Sequence, residues 1–382
     1  MRGTIAWVAI VCLLASACAT ARLRGDTDDS ALVARADREE QTLLTKTTVY
    51  DDPTLIAYLG AVGERLAPGF AFTVLRDPAL NAFALPNRHL YLHTGLLSRV
   101  ENEAQLAMII AREMTHVSER HARGLERESQ TTRLAYTGAA GPTATAILGA
   151  GLGLIRTAAI DGYGRDLDRE ADVGGMERLV DGGWDPKQAP RVFGELRADL
   201  TERGPLEMFF YGSAQRLTER IDVTTELGKT RYAEASAATT TTVDTPEFQR
   251  RMRPVARDNA YEDIRAGRFT LAQRQLDRVL AATPNDAVAY TYYGDLHRLR
   301  AQRAPDAATR ARDARLALAA YDKAVELDPT AAEPHRQLGF LYYQQKDTAH
   351  AKAAFERYLA LQPTGIDARR VREYLVELTR SR

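Results

Sequence analysis

The sequence predicts an α+β fold, in which a mainly helical domain with a small sheet precedes an all-α solenoid of repeats. In the first part, apolar residues recur at helical spacing and two short runs are strand-like. In the second part, Gly and Pro positions recur with a period of about 34 residues. These observations together indicate a chain of at least two domains.

The segment 1–17 resembles a secretory signal. A basic residue and an apolar run from Ile5 to Leu14 precede small residues and Cys18, a pattern too short to span a membrane. The ending Ala15-Ser16-Ala17-Cys18 is similar to a bacterial lipobox, which implies an acylated Cys18, and Ala19 after it implies the outer membrane. A plain signal cut at an Ala-x-Ala site is the alternative. Because the other cysteine, Cys12, lies in the signal, we expect no disulfide.

The remaining chain of about 365 residues is long enough for two or three domains. The full chain of 382 residues has 51 basic and 51 acidic residues, and no basic patch indicates a nucleic-acid partner. We expect these divisions: a signal at 1–17, a tether and N-terminal helix at 18–45, a first folded domain at 46–232, a linker at 233–253 and a repeat domain at 254–382.

The first elements of the folded domain follow from local patterns. Apolar residues at helical spacing predict a helix from Asp52 to Leu66, which Pro68-Gly69 ends. Two strand-like runs follow, at Phe70–Leu75 and Leu90–His93. We therefore expect a helix and then a small sheet.

Two further helices are predicted. One is opened either by a capping box at Ser98 or by Asn102 and lasts to about Gly124. Because its stretch Ala104–Ala111 is nearly all apolar, this helix should be buried on most sides. The other helix is expected around Arg165–Val180, where a pair of glycines follows.

Two segments are less regular. Thr137–Ile155 carries no charge and is rich in Gly and Ala, which fits a membrane-spanning helix, a membrane-facing or lid segment, or a close-packed internal helix. Residues 233–247 show no periodicity and indicate a linker.

Beyond the linker the chain repeats. Pro329 and Pro363 stand one period apart, and small and aromatic residues precede both at matching offsets. The period resembles that of tetratricopeptide repeats, and an unrelated helical bundle is the alternative. Pro284 ends an earlier unit, and its distance from Pro329 exceeds the period by about 11 residues, which we place around Arg300–Arg312. Asp367–Arg380 would be a capping helix after about three repeats.

In the predicted helix that lasts to about Gly124, residues 112–116 differ at one position from a zinc-binding motif. In HExxH two histidines share one helix face and ligate Zn²⁺, and the glutamate polarises the metal-bound water. Here the first histidine position is Arg112, followed by Glu113 and His116. A guanidinium has no lone pair to give, so Arg112 cannot be a zinc ligand.

Four blocks of sequence resemble the HtpX-like and BepA-like zinc endopeptidases of peptidase family M48. They correspond to the family's substrate-side edge strand, active-site helix, third-ligand helix and Ser-His-Pro segment: Asn81–Leu97, Asn102–Val117, Asp168–Pro186 and Phe209–Ile221. The resemblance implies a zincin-like fold over roughly residues 45–230, so the domain expected at 46–232 would be metallopeptidase-like. A lipoprotein signal before it and repeats after it give the architecture of bacterial envelope members.

Mapped onto this resemblance, the zinc site is altered at three positions. Arg112 replaces the first histidine ligand, Asp168 replaces the glutamate ligand, and Ala214 replaces a histidine thought to stabilise the transition state. The base, one ligand and a carboxylate that supports a histidine are retained: Glu113, His116 and Asp172. The substrate edge strand would include Ala84, Leu85, Pro86, Leu90 and Leu92. A weak zinc site on His116 and Asp168 would have only two protein ligands, where catalytic sites usually have three.

The substitutions suggest a replacement for the metal. Arg112 and Asp168 occupy ligand positions that converge in this fold, so we expect a bidentate ion pair in place of zinc. Random decay of an unused site is the alternative. Carboxylates at Glu113, Asp168 and Asp172 would then raise the pKa of His116, because nearby negative charge favours the imidazolium.

The sequence favours a binding protein over an enzyme. We expect a proteolytically inactive, peptidase-like lipoprotein of the outer membrane, facing the periplasm, with no cofactor. It would bind envelope or outer-membrane polypeptides through its edge strand and repeat surface. An active zinc metalloendopeptidase with atypical ligands, acting in envelope protein quality control, is one alternative. A pure repeat scaffold is the other.

Overall fold

The computed structural model describes residues 29–123, 142–203 and 214–380, with side chains except at 200–203 and 214. The predicted signal, Cys18, the expected helix end at Gly124, residues 137–141 and residues 209–213 of the fourth sequence block lie outside the described residues. The chain divides into two compact units, Met1–Arg251 and Met252–Arg382.

The helices and strands follow in chain order: α1 (29–46), α2 (Pro53–Leu66), β1 (Ala71–Leu75), β2 (Ala82–Ala84), β3 (His89–His93), α3 (Thr94–Leu97), α4 (Glu103–Ser118), α5 (Pro142–Ala150), α6 (Gly153–Arg156), α7 (Arg165–Asp181), α8 (Gln188–Arg203), α9 (Ala214–Lys229), α10 (Ala233–Ala237), α11 (Pro246–Arg265), α12 (Phe269–Ala282), α13 (Ala287–Arg303), α14 (Ala307–Leu327), α15 (Ala332–Gln344), α16 (Thr348–Leu361) and α17 (Ala368–Arg380). A short 3₁₀ helix follows α4 at His121–Arg123, and a π-helix precedes α7 at Thr157–Asp161.

The sheet of the first unit has the strand order β1-β3-β2. β1 and β3 pair in parallel, and β2 and β3 pair antiparallel with Phe83 opposite Tyr91. The two strand-like runs are thus present as β1 and β3. Leu90 and Leu92 lie on the central strand, whose backbone groups are used by neighbours on both sides. Their assignment to the substrate edge strand is therefore wrong.

β2 is the edge strand that corresponds to the predicted substrate strand, because it pairs with β3 on one side only. The N–H of Leu85 donates to the C=O of His89 at 2.9 Å. Because inward and outward residues alternate along an antiparallel ladder, the backbone groups of Ala82 and Ala84 point away from β3. In the described part of the chain, no backbone group pairs with that outer side of β2. Leu85 and Pro86 follow the strand rather than belong to it.

The helix starts agree with the cap residues in the sequence. The Asp52 carboxylate accepts hydrogen bonds from the first turn of α2. At α4 the Asn102 side chain accepts from the N–H of Gln105 at 3.0 Å, so Asn102 is the cap and Ser98 is not. α4 ends at Ser118, before the predicted limit.

The described part of the uncharged segment, residues 142–155, forms α5 and most of α6, and the π-helix follows it. Its described apolar side chains are buried together with side chains of the β2–β3 hairpin: Ala144, Ile147, Leu152, Leu154 and Ile155 with Phe83, Leu85 and Tyr91. Among the helices that the structure describes, none is both long and apolar enough to cross a membrane. The described part of this segment is therefore packed inside the first unit.

Part of the predicted linker is bound to the first unit. Thr242 forms a parallel bridge with Trp184, and the N–H of Ala104 donates to the C=O of Val243 at 3.0 Å. Residues 233–237 form α10. The segment is therefore not a free chain over its whole length, while the predicted domain limits stay predictions.

The second unit is a series of helix pairs with α17 at its end, as the period predicts. α13 and α14 have 17 and 21 residues, whereas α15 and α16 have 13 and 14. The extra residues of the middle unit thus lengthen both helices of one pair. A Cβ on Gly339 would lie 2.4 Å from the ring of Phe355, and one on Gly294 would lie 2.4 Å from that of Tyr321. Glycine at these positions lets paired helices approach closely.

Candidate functional site

The predicted site residues meet where α4 packs against α7. Five of them lie on these two helices: Arg112, Glu113 and His116 on α4, and Asp168 and Asp172 on α7. Two glycines of α7 permit the close contact. A Cβ on Gly175 would lie 3.2 Å from the backbone of Arg112, and one on Gly174 would lie 2.6 Å from the side chain of Thr115. The helices thus bring distant parts of the motif together.

The guanidinium of Arg112 is at the centre of this contact and is only 5% exposed. Its Nε donates to Asp172 Oδ1 at 3.0 Å, its Nη1 to Glu113 Oε1 at 2.5 Å and its Nη2 to Asp168 Oδ1 at 2.6 Å. The predicted pairing with Asp168 is present, but it is not bidentate. The three nitrogens instead serve three carboxylates, which satisfies the guanidinium in three directions.

Two further arginines reach the same carboxylates from α9. Arg216 Nη1 lies 2.6 Å from Asp168 Oδ2, and Arg220 Nη2 lies 3.5 Å from the same oxygen. Arg220 Nε lies 3.8 Å from Asp172 Oδ2. α9 is thereby tied to α7, and the carboxylates at this contact face cations from two helices.

Burial shifts the acid–base properties of the carboxyls. Burial raises the pKa of Glu113 to about 7, against the opposing effects of Arg112 and Arg220. Burial also raises the pKa of Asp172, again against Arg220 and Arg112. Removal from water therefore outweighs the nearby cations at both carboxyls.

His116 lies beside this cluster and is 2% exposed. Its Nδ1 is 2.8 Å from Nδ1 of His121, and its ring stacks on Tyr163 with centroids 4.2 Å apart. Burial lowers the pKa of His116 well below its usual value, and the positive charges of Arg112, His121 and Arg220 act in the same direction. The predicted upward shift is wrong, because the carboxylates are matched by arginines and the ring is out of water.

Four residues of the site were not predicted as site residues from the sequence: Arg216, Arg220, His121 and Tyr163. The two arginines are four residues apart on α9, and this spacing places them on one helix face. His121 follows His116 by five residues, past the end of the motif. Only the α9 spacing offers a signal, and it names no partner.

The residues at this site do not fit a zinc ion. Both oxygens of Asp168 accept from guanidinium groups, Oδ1 from Arg112 and Oδ2 from Arg216. The arginine cation lies among the carboxylates that would otherwise attract a metal. In the described residues, no group of three or more His, Cys, Asp or Glu side chains is arranged to hold a metal ion.

A cavity of about 240 Å³ lies between α1, the end of β2 and the C-terminal end of α4. Residues from these elements line it: Leu32 and Val33, Ala84 and Pro86, and His116 and Arg120. Arg88 also lines it and adopts a left-handed φ of 62°. His116 Nε2 has no hydrogen-bond partner in the described structure. The outward-facing side of Ala84 and the ring of His116 thus border one space.

The fold and the site define a zincin-like peptidase domain whose metal-binding set is altered. The model of peptidase family M48 matches residues 55–249, more than half of the chain, and a tetratricopeptide repeat model matches residues 306–376. This chain belongs to peptidase family M48. The predicted fold class, a mainly helical peptidase domain with a small sheet followed by an all-α repeat domain, is confirmed.

Named relatives match part of this chain. The beta-barrel assembly-enhancing protease of Escherichia coli K12 is 30% identical over 173 residues, which cover 41% of this chain and 36% of that protein. A Vibrio cholerae relative is 32% identical over 164 residues, which cover 39% and 34%. This chain thus spans about a third of the length of these curated relatives. A tetratricopeptide repeat protein of Thermus thermophilus aligns at 18% identity over 51% of this chain and 82% of its own, with a TM-score of 0.30, too low to support a conclusion.

Proposed function

We propose that this chain is a proteolytically inactive, peptidase-like envelope lipoprotein that binds envelope or outer-membrane polypeptides. The observation that carries the proposal is the buried Arg112 guanidinium among Glu113, Asp168 and Asp172. A fixed cation stands where the family requires a histidine lone pair. The ion-pair cluster holds α4, α7 and α9 together in place of a metal.

The remaining groups cannot complete the family's chemistry. Glu113 accepts a hydrogen bond from Arg112, and with a pKa of about 7 it is partly protonated at neutral pH. A metallopeptidase base must take a proton from a metal-bound water. Alanine at position 214 supplies no donor to the transition state. Both features support loss of proteolysis.

Binding of a polypeptide requires fewer groups of the family's peptidase site than catalysis does. An extended polypeptide can add to a sheet edge through backbone hydrogen bonds, while side-chain pockets supply selectivity. The outward backbone groups of Ala82 and Ala84 would serve as that edge, although the two residues are only 6% and 1% exposed, and the cavity beside Ala84 would serve as a pocket. The relatives' name, beta-barrel assembly-enhancing protease, supports polypeptides of the envelope as partners. Acylation of Cys18 would hold the protein at the outer membrane.

The second candidate is an active zinc metalloendopeptidase with atypical ligands. Two observations favour it: membership of the family, and a buried His116 Nε2 without a hydrogen-bond partner in the described structure. Such a nitrogen is a metal ligand in the relatives' motif.

Zinc content and cleavage together test the two candidates. The full protein, loaded with excess Zn²⁺ and desalted, should retain well under one equivalent and leave unfolded casein intact. Glu113→Gln is the matched control, because it keeps the volume and removes the base. Stoichiometric zinc with cleavage that is lost in Glu113→Gln would overturn the proposal.

Capture of an unfolded outer-membrane polypeptide tests the edge strand. Ala84→Pro removes the outward N–H and leaves the ladder to β3 intact, so capture should fall at least roughly tenfold. Ala84→Val adds the same number of carbon atoms but keeps the N–H, and it should capture as well as the wild type. Equal loss in both variants would point to packing rather than pairing.

A further inference from the structure

A second cavity, of about 350 Å³, lies within the repeat unit. Its lining comes from α13, α15 and α17, the first helices of successive repeats, and includes three arginines, three aromatic residues and three glutamines. The charged and aromatic members are Arg298, Arg336, Arg370, Phe340, Tyr343 and Tyr374. The described lining residues include no carboxylate, so the cavity is rich in N–H donors.

Part of this lining is repeated with the period of the fold. Arg336 and Phe340 are four residues apart on α15, and Arg370 and Tyr374 are four apart on α17. Arg370 follows Arg336 by one full period of the repeat. Each pair therefore sits at the same position of the repeat, and the cavity presents the same guanidinium–aromatic unit twice.

The carboxylates that pair with two of the arginines lie outside the lining. Arg298 Nη2 is 3.1 Å from Asp295 Oδ1, and Arg336 pairs with Glu333 and Asp367. These pairs orient the guanidinium groups and leave further donors, since each carries five N–H groups. Arg336 Nε is buried and has no hydrogen-bond partner in the described residues.

Arg370 is different, because no carboxylate of the described chain lies within ion-pair distance of it. Its guanidinium carbon lies 5.6 Å from the ring centre of Phe340 and 5.8 Å from that of Tyr374. It is exposed, and stacking on two rings restricts its orientation. The cavity thus holds a cation that the protein positions and does not neutralise.

We propose that this cavity binds an acidic stretch of an extended polypeptide that carries an aromatic side chain. The inference rests on the proposed function, since it specifies the partner of the repeat unit. Carboxylates match the arginines, an aromatic side chain matches the half-buried rings of the lining, and peptide groups match the glutamine amides. Inorganic anions would use the first of these contacts alone.

Fluorescence anisotropy of the full protein with two labelled decapeptides tests the proposal. One probe contains Asp, Glu and Phe, and the other has Asn and Gln in place of the acids. At about 100 mM salt the acidic probe should bind at least roughly tenfold more tightly. Arg370→Glu should weaken that binding roughly tenfold or more, because it reverses the unpaired charge.

Arg369→Glu is the matched control, since Arg369 is exposed on the same helix and does not line the cavity. It should change the affinity less than about twofold. Equal affinity for both probes, or equal loss in the two variants, would overturn the proposal. Ala84→Pro should bind the acidic probe like the wild type. Failure here with intact, Ala84-dependent capture of unfolded polypeptides would leave the proposed function standing.

Discussion

Two buried charges on α4, nine residues apart, are satisfied in opposite ways. Glu103 is 3% exposed and accepts hydrogen bonds mainly from neutral groups: Tyr58 OH at 2.9 Å, Trp184 Nε1 at 3.1 Å and Thr245 Oγ1 at 2.5 Å. Arg112 is satisfied by three carboxylates. The Glu103 anion is thus surrounded mainly by neutral donors. The Arg112 cation is surrounded by carboxylates, which need a positive partner themselves.

The difference shows how each cluster depends on its centre. Glu103 lies in the first turn of α4, where the helix dipole favours an anion, and its donors would remain neutral without it. Around Arg112, the loss of the cation would leave carboxylates buried with insufficient positive charge. Loss of the Glu103 charge should therefore destabilise the fold moderately, whereas loss of the Arg112 charge should destabilise it strongly.

Removal of the Arg112 cation is expected to have the largest effect. Arg112→Met keeps an unbranched side chain and deletes the charge, so the free energy of unfolding should fall by about 3–5 kcal/mol, as for other broken buried ion pairs. Urea denaturation monitored by circular dichroism measures it.

Arg216→Met provides the control, because Arg216 contacts the same Asp168 but its side chain is 36% exposed. Its loss should be at most about 1 kcal/mol. If the free energy of unfolding falls by the same small amount in both variants, the Arg112 cation does not stabilise the cluster and the contrast with Glu103 is wrong.

A pH titration sharpens the comparison, because Glu113 belongs to the charged cluster. Burial raises the pKa of Glu113 from 4.5 to about 7, so between these values the folded state keeps a proton that the unfolded state has released. The contribution of Glu113 to stability therefore falls as pH rises through this window, by up to about 3 kcal/mol.

The lowered pKa of His116 acts in the opposite sense and should be common to the wild type and Glu113→Gln. The difference in unfolding free energy between the two proteins, measured from pH 4.5 to 7.5, isolates Glu113. A difference that does not vary with pH would show that Glu113 is ionised throughout.

Local patterns in the sequence predicted most of the fold. Helix α2, the Asn102 cap as one of two candidates for α4, the strands β1 and β3 and the helical repeats each follow from patterns along the chain. The site was predicted only where a motif orders it, on α4 and α7. Arg216 and Arg220 converge on Asp168 from α9, a tertiary contact that no spacing in the sequence encodes.

The pKa of His116 shows the same limit in energetic form. The sequence names the carboxylates near His116, but it gives neither the burial of the ring nor the position of Arg220. Burial is the largest cause of the lowered pKa of His116, and the positive charges of Arg112, His121 and Arg220 act in the same direction. A count of nearby charges therefore could not predict the direction of the pKa shift of His116, because the burial of the ring was not known from the sequence.

Restoring the family's ligands should convert the charge-centred cluster into a metal-centred one. Arg112→His with Asp168→Glu supplies two histidines and a glutamate, so zinc should bind and stabilise the fold by about 2.7 kcal/mol at a hundred times Kd. Thermal unfolding with and without Zn²⁺ measures this, and adding His116→Ala should abolish the zinc effect. A double variant that ignores zinc would mean that α4 and α7 no longer hold ligands in range.

Neutralising Glu103 should have the smallest effect of the central changes. Glu103→Gln keeps one acceptor oxygen for the groups that now donate to Glu103, so we expect a loss of about 1–2 kcal/mol. Arg65→Ala is the control: Arg65 Nη1 lies 3.4 Å from Glu103 Oε1 and its side chain is 45% exposed, so its removal should cost less than about 1 kcal/mol. Denaturation of both variants beside Arg112→Met ranks the two clusters. A Glu103→Gln loss as large as that of Arg112→Met would show that the two ends of α4 depend equally on buried charge.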